Sequence, residues 1–148
     1  MMTPMGPHQL TTEALDFLTD RHLATLTTMR ADTSPHVVAI GFTYDHERAL
    51  VRVITFASST KVRNATSGGR AAVCQVDGAR WITLEGTVRA TSDPADVAVA
   101  VQRYTDRYSS PKPRRDRVVI EIAVDRVLAS ARLLTRDDAH DTTTHERE

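Results

Sequence analysis

The chain has 148 residues and sets 19 Lys plus Arg against 19 Asp plus Glu, for a formal charge of zero. That length suits one domain with one buried core, and the balanced charge offers nucleic acid no basic field, so any anion must be met locally. The single cysteine, Cys74, cannot close an internal disulfide, no apolar run approaches the ~18 residues of a membrane span, and no basic-then-apolar leader opens the chain, so a cytoplasmic setting is expected.

Met1 to Gln9, with Pro4, Gly6 and Pro7, reads as a flexible lead. Thr11 or Thr12 can cap a helix to about Arg21, because Leu10, Ala14, Phe17 and Leu18 recur at helical spacing. Leu23 to Met29 is rich in threonine and apolar residues and predicts a strand; turn chemistry over Arg30 to Ser34 returns the chain into a second strand over His36 to Tyr44. After a turn at Asp45 to Arg48, Ala49 to Phe56 carries apolar residues on both faces, so both must be partly covered. Pro35 to Asn64 therefore reads as two paired strands that lead onto a short helix.

At the start of that helix stand Ser58, Ser59, Thr60 and Lys61. Either serine can cap the first turn, whose free amides favour an anion, and Lys61 adds a full charge. The same residues also fit a plain cap beside a solvated lysine, and local sequence leaves both readings open.

Gly68 and Gly69 end this helix. Ala71 to Val76, a turn at Asp77-Gly78 and Trp81 to Ala90 predict a hairpin. Ser92-Asp93-Pro94 opens the longest helix, with Val97, Val101, Tyr104 and Tyr108 as its packing stripe. Pro111 and Pro113 break it and leave Lys112, Arg114, Arg115 and Arg117 together, a run that reads equally as a solvated loop. Val118 to Val124 and Val127 to Leu134 predict two last strands; Arg136 to Glu148 has the composition of a disordered tail, and its His140 and His145 lack a fold to hold a metal. The ordered domain is expected over residues 10–135 as a mainly β (α+β) antiparallel barrel of six to seven strands with flanking helices.

Glycine-rich nucleotide loops, C-x-x-C, G-x-S-x-G and H-E-x-x-H are all absent from the sequence, and His22, His36 and His46 have no Asp or Cys at ligand spacing. No metal site is expected, and chemistry, if any, falls to a bound cofactor.

With the strand pair, the serine-lysine helix start and the aspartate-glycine hairpin in this order, the chain resembles the split β-barrel flavin-binding family typified by pyridoxamine phosphate oxidases. FLTDRHLATLTTMRADTSPHVVAIGFTYD, QVDGARWITLEG and RRDRVVIEIAVDRVLASA are most similar to the F420-dependent biliverdin reductases within it. The resemblance implies that the cofactor phosphate lies on Ser59, Thr60 and Lys61, with Asn64 one helical turn beyond. It places the ring along Pro35, His36, Val37, Val38 and Ile40 and against Thr55. The partner protomer's hairpin, through Gln75, Ala79 and Trp81, closes the site, so a homodimer is expected.

Two departures bear on which cofactor binds. Flavin-dependent oxidases usually carry arginine where this chain has Thr60, which points away from FMN, the alternative, and towards coenzyme F420. Arg132-Leu133-Leu134-Thr135 also lacks the proline of the motif that serves pyridoxine phosphate. F420 bears an oligoglutamate tail, and Arg63, Arg70, Arg80 or the Lys112–Arg117 cluster are the candidate cations for it. The expected activity is hydride transfer from reduced deazaflavin to biliverdin, a tetrapyrrole, with no covalent catalytic side chain. The alternatives are a dimer that only sequesters F420 or a tetrapyrrole, and an FMN-dependent oxidoreductase.

Overall fold

In a computed structural model, which describes residues 5–133, seven strands form one antiparallel sheet. They are β1 (Ala24–Met29), β2 (Pro35–Ile40), β3 (Thr43–Asp45), β4 (Leu50–Phe56), β5 (Arg70–Asp77), β6 (Arg80–Thr91) and β7 (Arg117–Ala129), in the order β2-β1-β5-β6-β7-β4-β3. The helices are α1 (Thr12–Thr19), α2 (Thr60–Thr66) and α3 (Pro94–Arg107). β2 and β3 are the two ends of that order, yet only Gly41 and Phe42 separate them in the chain. A flat sheet of this order would hold its edges about 29 Å apart at normal strand spacing, whereas three Cα steps reach about 11 Å. The sheet must therefore curl until its edges meet, and the result is a split barrel around Phe17, Leu26, Phe42, Val53, Leu84 and Ile120, each at most 1% exposed.

This closure corrects the expected single strand over His36 to Tyr44. β2 pairs only with β1, from Ala24 opposite Ile40 to Met29 opposite Pro35, and only Thr43–Asp45 pairs with β4. The break falls where α3 crosses: a Cβ on Gly41 would sit 3.2 Å from the Tyr108 ring and 3.3 Å from Tyr104. The Phe42 amide donates to the Tyr108 hydroxyl at 3.2 Å.

The two strands expected at the C-terminal end are a single strand, β7. Glu85 pairs with Arg126 and Gly86 with Val124, so Asp125 is an extra, bulged residue rather than part of a turn. Arg70 holds it through a two-pronged contact of 2.8 and 2.6 Å.

Thr11 caps α1, accepting from Ala14 N at 3.0 Å, and the helix stops at Thr19 rather than Arg21. Asp93 caps α3, whose fully buried residue is Ala100; Val97, Val101, Tyr104 and Tyr108 are only half-buried. Within the expected lead, Met5 is 5% exposed and bridges Val127. The predicted tail, with His140 and His145, lies outside the described residues, as does Leu134. No helix among the described residues is long and apolar enough to cross a membrane.

A methyl group at Gly86 would stand 1.8 Å from the Ala123 carbonyl oxygen, a backbone atom that cannot swing aside. Gly86→Ala should therefore cost about 3 kcal/mol, the upper range for overpacking, read as a lower urea midpoint at unchanged slope. A loss under about 1 kcal/mol would mean that β6 and β7 separate freely at the bulge.

Candidate functional site

The end of β4 delivers the chain onto Ser59, which is 8% exposed and caps α2. Its hydroxyl accepts from Val62 N and from the Thr55 hydroxyl, both at 3.4 Å, while Ser58 is exposed. Because α2 has only seven residues, the pull on an anion rests on side-chain charge more than on a helix dipole.

That charge is Lys61. It is half-buried, and burial holds its pKa below the ordinary 10.5. Among the described residues no carboxylate lies within ion-pair distance of it. Lys61 opens onto a groove of about 310 Å³ that it shares with Ile40, Thr55, Tyr104, Arg114 and Arg117. The rest of the lining is Gly41, Ile54, Phe56 and Pro111, so the groove holds three cations and no acid. Phe56 lies beneath two of them, with Lys61 Nζ 5.6 Å and Arg114 Cζ 4.5 Å from its ring centre. Arg117, opposite Phe56 in the β4–β7 ladder, donates to the Lys112 carbonyl.

Ile40, Thr55 and Lys61 thus meet in one groove, above the Ser59 cap. Thr60 is exposed beside them. Along β2 the predicted ring stretch divides: His36, Val38 and Ile40 turn inward, whereas Pro35 and Val37 are exposed on the outer face. The Nδ1 atom of His36 is buried without a partner. Asn64 is 8% exposed and spends its amide on the Thr28 hydroxyl at 3.0 Å, tying α2 to β1.

Gln75 departs most from expectation. It is fully buried, donates to the Phe17 carbonyl at 2.7 Å and accepts from Arg107 at 2.6 Å, so its side chain is an interior brace with no face for a ligand. Ala79 is exposed in the hairpin turn and Trp81 is half-buried; neither lines the groove of its own chain. Arg63, Arg70 and Arg80 do not line it either: Arg63 is exposed, Arg70 pairs with Asp125 and Arg80 with Asp77. Phe56 and Tyr104 were not foreseen as groove residues. Tyr104 reads as packing in the sequence, and only the crossing of α3 over Gly41 brings it there.

A second surface is mainly apolar and threonine-lined, with Arg70 and Glu85 at one end. On the outer face of β2, β1, β5 and β6, Val76 stands opposite Trp81, and the next row runs Thr25, Cys74 and Thr83. Leu23 is 67% exposed, Val76 59%, Val37 56% and Met29 41%. No group of three or more potential metal ligands occurs among the described residues.

Residues 10–131 match the family described as pyridoxamine 5'-phosphate oxidase. The chain is 53% identical over 128 residues to a Mycobacterium tuberculosis protein named F420H(2)-dependent biliverdin reductase, covering 86% of this chain and 93% of that one. A solved structure described as an F420 reductase superposes with a TM-score of 0.63 at 25% identity, covering 76% of this chain and 94% of the other. A conserved hypothetical protein of Mycobacterium tuberculosis gives a TM-score of 0.69 at 22% identity over 80% of this chain and 82% of its own, a likeness of fold. With the curled seven-stranded sheet and a match spanning most of its length, this chain belongs to the pyridoxamine 5'-phosphate oxidase family.

Proposed function

We propose that this chain is an F420H2-dependent biliverdin reductase that works as a cytoplasmic homodimer. The observation that carries the reading is Lys61: a half-buried cation with no carboxylate partner among the described residues, in a groove that adds Arg114 and Arg117 and no acid. Half-burying an unmatched charge is unfavourable, and an incoming phosphate would supply the missing partner. Three cations in a row exceed what a single phosphate uses, and suit a cofactor that carries further carboxylates. The F420-dependent relative supports the same choice.

When bound, the reduced deazaflavin would supply a hydride to the central methine bridge of biliverdin, and a product nitrogen would take a proton from water to complete bilirubin. The protein's part is to hold and shield. Lys61 and Ser59 fix the phosphate, Ile40 and Thr55 flank the ring end of the groove, and the β2 backbone offers the ring its edge. Substrate propionates meet the groove's arginines as charge-assisted pairs. The mainly apolar outer face, with Leu23, Val76 and Val37 exposed, supports the dimer, since a second copy would remove that surface from water. Trp81, in the same row as Val76, would then reach the partner's groove.

Purified protein mixed with F420H2 and biliverdin should form bilirubin, followed by its absorbance; binding of both without turnover would leave a sequestering protein instead. Lys61→Ala should weaken F420 by roughly 1.5–3 kcal/mol, the range for hydrogen bonds to charged groups, in a fluorescence titration at constant salt. Unchanged affinity would place the anion elsewhere.

The same lysine sets a pH dependence. Its pKa is lowered in the free protein and rises when an anion pairs with it, so binding takes up a proton wherever free Lys61 is neutral. Affinity should hold at neutral pH and fall as pH climbs through the free-state pKa, which lies below 10.5. Lys61→Ala should flatten that decline, and an equally steep one in the variant would assign it to another group. Val76→Glu should shift the dimer to monomer in light scattering and abolish turnover; a dimer that survives it would move the interface off this face.

A further inference from the structure

The only carboxylate bonded to a groove cation is that of Asp116, among the described residues. Arg114 donates to it twice, Nε to Oδ1 at 2.8 Å and Nη2 to Oδ2 at 2.9 Å, in the two-pronged geometry with which arginine takes a carboxylate from a ligand. Asp116 itself does not line the groove. Its backbone is anchored separately, by the Ala57 amide donating to its carbonyl at 2.9 Å. The side chain is therefore free to leave without unpinning the loop.

We propose that Asp116 is a tethered stand-in for a ligand carboxylate, occupying Arg114 until a polyanionic cofactor anchored at Lys61 brings its own carboxylate and displaces it. The inference rests on the F420 reading above and deepens it by naming the residue that sets affinity for the tail.

Three observations favour exchange over a permanent brace. Both side chains are 45% exposed, and an ion pair open to water is weak and readily broken. A ligand already held at Lys61 presents its tail at high effective concentration, which a free anion in solution cannot match. The Phe56 ring, 4.5 Å from the guanidinium, keeps Arg114 over the groove whichever carboxylate it holds. Asp116 thus repels small anions that lack an anchor, a specificity built from a competitor rather than from an added attraction. Because the tail must replace an existing pair, it gains less than it would against a bare arginine, and the cofactor can leave after turnover.

The test is a set of fluorescence titrations at fixed salt with two probes, oligoglutamyl F420 and the deazaflavin phosphate that lacks glutamates. Asp116→Asn, which keeps the shape and removes the charge, should bind the tailed probe roughly two- to fivefold tighter and the tailless probe unchanged. Arg114→Gln should weaken the tailed probe selectively, and adding Asp116→Asn to it should change nothing further. The proposal is overturned if Asp116→Asn leaves the tailed probe unaffected, if the tailless probe gains equally, or if the gain persists without Arg114. Should Asp116→Asn fail to fold, the selectivity of Arg114→Gln between the probes decides: equal loss of both overturns the proposal. Failure of the wild-type chain to bind either probe is a different result, and would remove the F420 reading with it.

Discussion

The barrel depends on the two-residue step from β2 to β3, which Arg107 holds together with Tyr108. Arg107, near the end of α3, donates to the Phe42 carbonyl at 2.6 Å, to the Asp20 carbonyl at 3.0 and 2.6 Å and to Gln75 at 2.6 Å. Its guanidinium also lies 4.8 Å from the Phe42 ring centre and 5.1 Å from that of Tyr108. One half-buried cation thereby ties together the end of α1, the crossing between the sheet edges and the later part of β5. Burial lowers its pKa, but an arginine starts so high that it remains charged. Lysine could not serve in its place, because these acceptors diverge and need a planar fork of donors. The clamp also builds the site: with Phe42 fixed, Ile40 and Gly41 come to lie beside β4 and under Tyr104, which is one wall of the groove.

How the fold treats its other buried charges explains why Lys61 stands out. Arg52, 6% exposed, meets Asp45 at 3.1 Å, and Arg103 reaches the same carboxylate at 3.3 Å. Glu121, also 6% exposed, is matched by Arg89 at 2.6 Å. These pairs follow the rule that a charge taken from water is matched by another, since an unmatched one is strongly unfavourable. Asp45 shows the balance: burial acts to raise its pKa, yet hydrogen bonds from Arg52 and Arg48 and the charge of Arg103 hold it below the ordinary range. Lys61 has burial as the sole cause of its shift and nothing to offset it. Arg107 also lacks a carboxylate, but carbonyl and amide oxygens take its donors; Lys61 has neither kind of partner among the described residues, and that imbalance supports a ligand site.

What was legible in the sequence divides by the range of the interaction. Thr11 and Ser59, each as one of two cap candidates, the Ser92-Asp93-Pro94 start of α3 and the Asp77-Gly78 turn depend on neighbours within a few residues, so local pattern is enough; Gly78 has the positive φ of 62° that its turn needs. The split of His36 to Tyr44 depends on Tyr108, some 66 residues away, and no local signal marks it beyond one glycine. The continuity of β7 depends on the missing side chain of Gly86 across the ladder, while Asp125-Arg126 alone looks like a turn. At the site, Ser59 and Lys61 are two residues apart in sequence, so both are legible in one local motif. The resemblance places Gln75 at the start of the hairpin that closes the partner's site; within its own chain its side chain is a brace, because its partners Phe17 and Arg107 lie far along the chain. Of the four loop cations only Arg114 and Arg117 reach the groove, a choice made by the β7 register and the Phe56 ring and invisible in a charge run.

The two unusual surfaces of the chain are chemically opposite, which bears on the proposed dimer. The groove gathers cations over one aromatic ring, while the outer face of β2, β1, β5 and β6 presents threonines, alanines and exposed aliphatics, with its nearest charges, Arg70 and Glu85, at the rim. A planar tetrapyrrole needs a second apolar wall to exclude water from the reacting edge, and the groove of one chain is open and polar on that side. The hairpin that ends in Ala79 and Trp81 cannot supply that wall to its own groove, from which it is absent. In the proposed dimer a second copy would deliver it, bringing apolar surface to the place where the cations leave off, so that one chain would contribute the charges that hold the cofactor and the other the surface that dries it.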